Sequence, residues 1–177
     1  MNPLKTIVDL ALLQAKPQDL PYSWALLGLL ASASTLSYVL ALEVVGSQLT
    51  QVVGQEIPIV PLAIAEHAFF ALTIWLILRL ALKSERFCQT LSAMFAGNTL
   101  VQLAMWPVSQ WMVNAQGTAA ANTPTLLLLG LRVWLLLIFA HIFKEALEVR
   151  MGLGVLFTIG CWIFTSVLLL LFLSFLG

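Results

Sequence analysis

The feature that most constrains this chain is a hydrophobic run at residues 123–143 with a single arginine inside it. The run reads TPTLLLLGLRVWLLLIFAHIF, and Arg132 is its only charged residue. About 20 consecutive apolar residues are enough for a helix to cross the hydrocarbon core of a bilayer. A soluble domain carries about 25% charged residues, whereas this chain of 177 residues carries 9% and is 61% hydrophobic. We therefore expect an integral membrane protein built from helices.

Apolar segments of membrane-spanning length predict an all-α bundle with five transmembrane helices. Residues 1–23, which precede the spans, are predicted to contain a short amphipathic helix with Leu4, Ile7 and Val8 on one face. Prolines at 17 and 21 end this helix. This helix is too short to span, so we expect a cytoplasmic segment that lies in the membrane interface. Residues 24–177 then form one transmembrane domain. The predicted spans are about residues 24–46, 58–82, 87–113, 124–143 and 152–176.

The distribution of basic residues predicts the orientation. Seven of the eight lysines and arginines lie in the amino-terminal segment, around the connection between spans two and three, or after span four. Because cytoplasmic loops are enriched in lysine and arginine, the amino terminus is expected inside and the carboxyl terminus outside, or periplasmic. The net charge is zero, which argues against nucleic acid as a partner.

Two opposite charges inside the spans are expected to meet. Arg132 and Glu66 each lie about eight residues into spans that start outside, so about 12 Å deep. A lone arginine near a helix centre costs about 2.5–3.5 kcal/mol on insertion scales, and a partner lowers that cost. We expect Glu66 and Arg132 to pair, with Glu43 as the competing partner.

This polar cluster allows two interpretations. His67 adjoins Glu66, and Asn98 and Gln102 share one face of the third span, where they could extend a polar network toward the cytoplasm. The first interpretation, which we favour from sequence, is a structural ion pair that fixes how two helices dock. The second is a substrate or proton site of a small transporter or channel in the outer half of the membrane.

A bound cofactor or metal is not expected. His67 and His141 are predicted to lie about 12 Å apart along the membrane normal, too far to ligate one haem iron. The sequence also lacks a zinc-protease motif, a serine-elbow motif and a phosphate loop. We therefore predict no catalytic residues and no enzyme activity.

The last third of the chain resembles the Ypt-interacting-protein family of Rab-associated, five-span membrane proteins. The residues that carry the resemblance are Trp134 at the head of the fourth span and the stretch HIFKEALEVRMGLGVLFTIGCW at residues 141–162. The proline-bracketed entry into the first span, Pro17 to Pro21, is similar too. The resemblance implies a bacterial-type, Yip-like member that organises membranes rather than catalysing a reaction.

The sequence thus predicts a multi-pass protein of the inner (plasma) membrane that acts as a scaffold or accessory subunit. Its expected partners are the lipid bilayer and other membrane proteins or further copies of itself. The alternative is the small transporter or channel with Glu66 and Arg132 at its site.

Overall fold

The computed structural model describes residues 3–53, 58–115 and 122–176, and every regular element within these ranges is helical. Short 3₁₀ turns at Pro17–Asp19 and Ser84–Arg86 precede the second and fourth α-helices. The predicted all-α fold is confirmed for the described residues. The helices are α1 (Pro3–Ala11), α2 (Trp24–Val53), α3 (Ile59–Leu80), α4 (Phe87–Asn114), α5 (Asn122–Leu147) and α6 (Met151–Leu176).

Four helices are long and apolar enough to cross a membrane, so the chain is a multi-pass membrane protein. These spans are Trp24–Val44, Ile59–Leu80, Asn122–Leu147 and Met151–Ser174. The third predicted span, α4, is of similar length but more polar, with amides at Gln89, Asn98, Gln102 and Gln110. The total of five spans therefore stays a prediction.

The five long helices close into a ring in the order α2, α4, α5, α6 and α3, with α3 returning to α2. Although α3 and α4 are joined by a short connection, α4 packs mainly between α2 and α5. Every residue of α4 from 91 to 97 is buried. A helix surrounded by protein can carry amides that would be costly in lipid, which explains the low hydropathy of α4.

Two glycines allow the helices of the ring to approach closely. A Cβ at Gly97 of α4 would lie 2.9 Å from Ile138 Cγ2 of α5. A Cβ at Gly154 of α6 would overlap the backbone carbonyl of Ala140 on α5. Small residues at such contacts are how membrane helices gain van der Waals packing.

We predict that Gly154→Ala destabilises the bundle by about 1–3 kcal/mol, the usual cost of overpacking, because the backbone of Ala140 cannot move aside. Gly160→Ala is the matched control on the same helix, since its Cβ would meet nothing within 4 Å. Melting temperature in detergent is the measurement. Equal melting temperatures for the two variants would contradict the α5–α6 packing described here.

The α3–α4 and α5–α6 connections lie side by side at one end of the bundle, which we call the basic end. Glu148 accepts hydrogen bonds there from Lys83 Nζ at 2.8 Å and from Arg86. Arg86 also donates to the carbonyl oxygen of Ala146 at 2.9 Å. The bonds from Lys83 and Arg86 hold the pKa of Glu148 at about 2, below its ordinary 4.5.

Glu148→Gln should lower the melting temperature at neutral pH, and the difference from wild type should depend on pH. Because the folded-state pKa is depressed, the carboxylate stabilises the fold above about pH 4.5, and this contribution is lost as the pH falls toward 2. We expect the two melting temperatures to converge as the pH is lowered. Glu85→Gln is the control, since Glu85 is exposed and lies 3.9 Å from Arg86. A difference that does not change with pH would contradict this role.

Candidate functional site

A cavity of about 550 Å³ lies inside the ring, and all five long helices contribute to its wall. Along α4 the wall extends from Phe95 to Met112, a rise of about 25 Å. The face of α4 that was predicted to carry Asn98 and Gln102 lines this cavity, together with further residues toward the end of the helix. The polar and charged side chains of the wall are Tyr38, Glu66, His67, Asn98, Gln102, Ser109, Arg132, Thr165 and Ser166.

The structure brings five of the six predicted polar residues into this wall. They are Glu66, His67, Asn98, Gln102 and Arg132. Glu43 is exposed near the far end of α2 and does not line the cavity. Glu43, which was predicted as the alternative partner of Arg132, therefore does not share the cavity with Arg132.

Glu66 and Arg132 share the cavity without touching. Within the described ranges no salt bridge joins Arg132 to any carboxylate. The hydroxyl of Tyr38 lies near the Glu66 carboxylate in the same wall. The Oε2 atom of Glu66 is buried and has no hydrogen-bond partner. A direct ion pair is therefore not formed, although the charge of Arg132 is near enough to act on Glu66, and a pairing through a bridging molecule stays a prediction.

Tyr38 was not predicted from sequence as a partner of Glu66. Its signal was the spacing of Ser34 and Tyr38, which lie four residues apart on α2 and so share one face of that helix. Ser34 is fully buried and Tyr38 lines the cavity.

A directional chain of hydrogen bonds holds His67 at the cavity wall. Asn98 Nδ2 donates to Ser34 Oγ at 2.9 Å, and Ser34 Oγ lies 2.9 Å from His67 Nε2. His67 Nδ1 lies 2.9 Å from the carbonyl oxygen of Ala63. Since a carbonyl can only accept, Nδ1 carries the proton, and Nε2 of the neutral ring accepts from the Ser34 hydroxyl. Both ring nitrogens are thus used by the protein.

An aromatic row forms the apolar part of the wall: Phe95, Phe70, Phe139 and Trp162, from four different helices. Neighbouring ring centroids are 6.2, 5.6 and 6.2 Å apart along this row. His67 stacks on Phe95 at 5.5 Å, which joins the row to the polar network. The cavity is therefore amphipathic, with charged groups and a broad apolar surface side by side.

The amino-terminal segment packs along α4 and α5 rather than standing clear of the bundle. Trp134 Nε1 donates to the carbonyl of Ala11 at 3.0 Å, and His141 Nε2 donates to that of Ala15 at 2.8 Å. These two side chains lie about 20 and 9 Å along α5 from Leu147. The segment therefore runs alongside α5, with Ala15 nearer the basic end than Ala11.

The buried face of α1 differs from the face expected from sequence. Thr6, Leu10 and Ala11 are buried, whereas Leu4 and Val8 are exposed. The predicted face was expected to lie against the membrane interface, and this stays a prediction, since Leu4 and Val8 are not covered by the bundle. The side of α1 that carries Thr6 and Leu10 packs against α4 and α5.

Within the described residues, no three of the His, Cys, Asp and Glu side chains come together as metal ligands would. His67 and His141 belong to different places: the first lines the cavity, and the second donates to the amino-terminal segment. Cys88 and Cys161 are buried free thiols.

No family model, no curated protein and no solved structure matches this chain. The resemblance to Ypt-interacting proteins therefore stays a prediction that depends on the residues of the last third.

We predict that Ser34→Ala destabilises the protein by about 1–3 kcal/mol for each polar group it leaves unpaired. The groups are the Asn98 amide and His67 Nε2. Ser32→Ala is the matched control, since Ser32 is exposed and donates only to the carbonyl of Gly28 within its own helix. The free energy of unfolding in bicelles is the measurement. Equal losses for the two serine variants would contradict the network.

Proposed function

We propose that this protein is a small membrane transporter whose substrate binds in the central cavity. One observation carries the proposal. Three polar side chains that line a single cavity keep unused hydrogen-bonding capacity: the Glu66 carboxylate, the Arg132 guanidinium and the Gln102 amide. Among the described residues, no side-chain hydrogen bond or salt bridge reaches Arg132 or the Gln102 amide.

A purely structural role is a weaker account of these groups. A structural ion pair gains its energy from direct contact and complete hydrogen bonding, and a buried charge without a partner costs several kcal/mol. Here Glu66 is half-buried and Arg132 is exposed, no salt bridge among the described residues joins them, and Glu66 Oε2 is buried without a hydrogen-bond partner. Sites that bind a polar ligand keep such capacity because the ligand supplies the missing partner.

The proposed orientation makes the cavity outward-facing. The basic end holds Lys83, Arg86 and Arg150, and it is assigned to the cytoplasm by the positive-inside rule. The cavity extends away from that end along α4. Toward the basic end the interior is filled by fully buried side chains such as Met94, Ile142 and Phe143. In this assignment α4 crosses the membrane as a fifth span, and the carboxyl terminus is outside.

Transport in this scheme needs no covalent chemistry. A substrate enters from the outer side and binds beside Glu66 and Arg132. Release to the cytoplasm requires the filled half of the bundle to part, as in alternating access.

A scaffold or accessory subunit remains the second candidate, and one observation favours it. Gly28 and Ser32 lie four residues apart on the outward face of α2, where both are exposed. Nothing lies within 4 Å of a Cβ built at Gly28. Two small residues at this spacing suit close approach of another membrane helix, from a partner protein or a second copy. This candidate also agrees with the family resemblance.

Cysteine labelling tests the outward-facing cavity. In a background with both native cysteines replaced by alanine, Ser109→Cys is placed on the cavity wall and Ser92→Cys on the same helix in the filled half. We expect a membrane-impermeant thiol reagent, added to the outer face of intact cells, to modify Ser109→Cys and not Ser92→Cys. No modification of Ser109→Cys from outside, or modification only from the cytoplasmic face, would overturn the proposed function.

A further inference from the structure

The cavity carries one acidic and one basic side chain, which restricts the ligand it can accept. Glu66 and Arg132 are the charged residues of its wall, and they are not joined by a salt bridge. A ligand with a single charge would contact one of them and leave the other without a contact from the ligand. A neutral ligand would offer neither of them an opposite charge. A ligand that carries both charges offers an opposite charge to Glu66 and to Arg132 at the same time.

We propose that the cavity binds a zwitterionic amphiphile, which deepens the proposed function and rests on it. The ammonium group of the ligand lies at the Glu66 carboxylate, which lines the cavity and forms no salt bridge among the described residues. The anionic group lies at Arg132, whose planar guanidinium suits a carboxylate or phosphate. The amide of Gln102, which is 3% exposed, offers a donor and an acceptor beside them.

The rest of the ligand is apolar. The aromatic row of Phe95, Phe70, Phe139 and Trp162 lines the same cavity as the charged residues. A hydrophilic zwitterion without an apolar part would leave this surface uncovered. The volume of about 550 Å³ lies in the range of pockets that hold small organic ligands, about 300–1,000 Å³. Space therefore remains for an apolar group beyond the two charges.

Tyr38 lines the cavity beside the acidic partner. Its hydroxyl lies near the Glu66 carboxylate, so the ammonium group of the ligand meets a second polar oxygen there.

Two sources can supply this chemistry: a free apolar amino acid, or the head group of an aminophospholipid. The test uses probes that differ by one charge. Phenylalanine carries both charges, 3-phenylpropionate lacks the ammonium group, and 2-phenylethylamine lacks the carboxylate. Dihexanoyl phosphatidylethanolamine and dihexanoyl phosphatidylglycerol form the lipid pair. Binding is measured by calorimetry on the full-length protein in detergent.

We expect wild-type protein to prefer a zwitterion, phenylalanine or the phosphatidylethanolamine, over its single-charge analogues by at least about tenfold, the size of one charge-assisted bond. Glu66→Gln should abolish the preference over the propionate or phosphatidylglycerol, and Arg132→Gln the preference over the amine. Arg132→Lys should restore part of the anion recognition. This crossover would not arise from a merely structural charge pair, and the melting temperature of each variant reports whether it has folded.

Three outcomes would overturn the inference. One is tighter binding of an anion alone, unchanged in Glu66→Gln. Another is the absence of binding by any zwitterion up to about 10 mM. The third is equal loss of all probes in both variants. If Ser109→Cys is still modified from outside, only the ligand class has failed. If it is not modified, the transporter proposal has failed as well.

Discussion

A carboxylate and a guanidinium cannot be left alone in hydrocarbon, and the arrangement of the bundle follows from this constraint. Glu66 and Arg132 lie on α3 and α5, which are not adjacent in the ring, so both can face its interior. Both line the cavity of the ring, where Glu66 is half-buried and Arg132 is exposed. The hydroxyl of Tyr38 on α2 lies near the Glu66 carboxylate, and no salt bridge among the described residues joins that carboxylate to Arg132.

The position of α4 makes such an interior possible. The half of α4 nearer the basic end is buried at residues 91–97, and the other half presents amides to the cavity. The same helix therefore seals one half of the bundle with Met94 and its neighbours and lines the other half with Asn98 and Gln102. Hydrogen bonds from Asn98 through Ser34 to His67 then connect three helices around the cavity. Apolar packing thus holds the helices together in one half of the bundle, and hydrogen bonds hold them around the cavity in the other half.

Hydropathy and loop charge were sufficient to predict the all-α fold and the helix bounds to within a few residues, apart from the longer α2 and later end of α5. Helical spacing also placed Asn98 and Gln102 on one inward face. The order of the helices in the ring could not be predicted from the sequence. Short connections suggest that consecutive helices pack together, whereas α4 packs mainly against α2 and α5 and only slightly against α3. For the same reason the contact of Tyr38 with Glu66 and the aromatic row could not be derived: they depend on which helices are neighbours. The packing of Thr6, Leu10 and Ala11 against the bundle could not be derived either, because it too depends on which elements are neighbours.

The central claim is that Glu66 and Arg132 are held apart across a ligand-binding cavity. The most direct measurement is an experimental structure of the protein in a lipid environment, at a resolution that shows side chains and bound molecules. The account predicts that the Glu66 carboxylate contacts the Tyr38 hydroxyl and that density for a molecule lies between Glu66 and Arg132. A direct salt bridge between the two residues, with the cavity closed around it, would contradict the account.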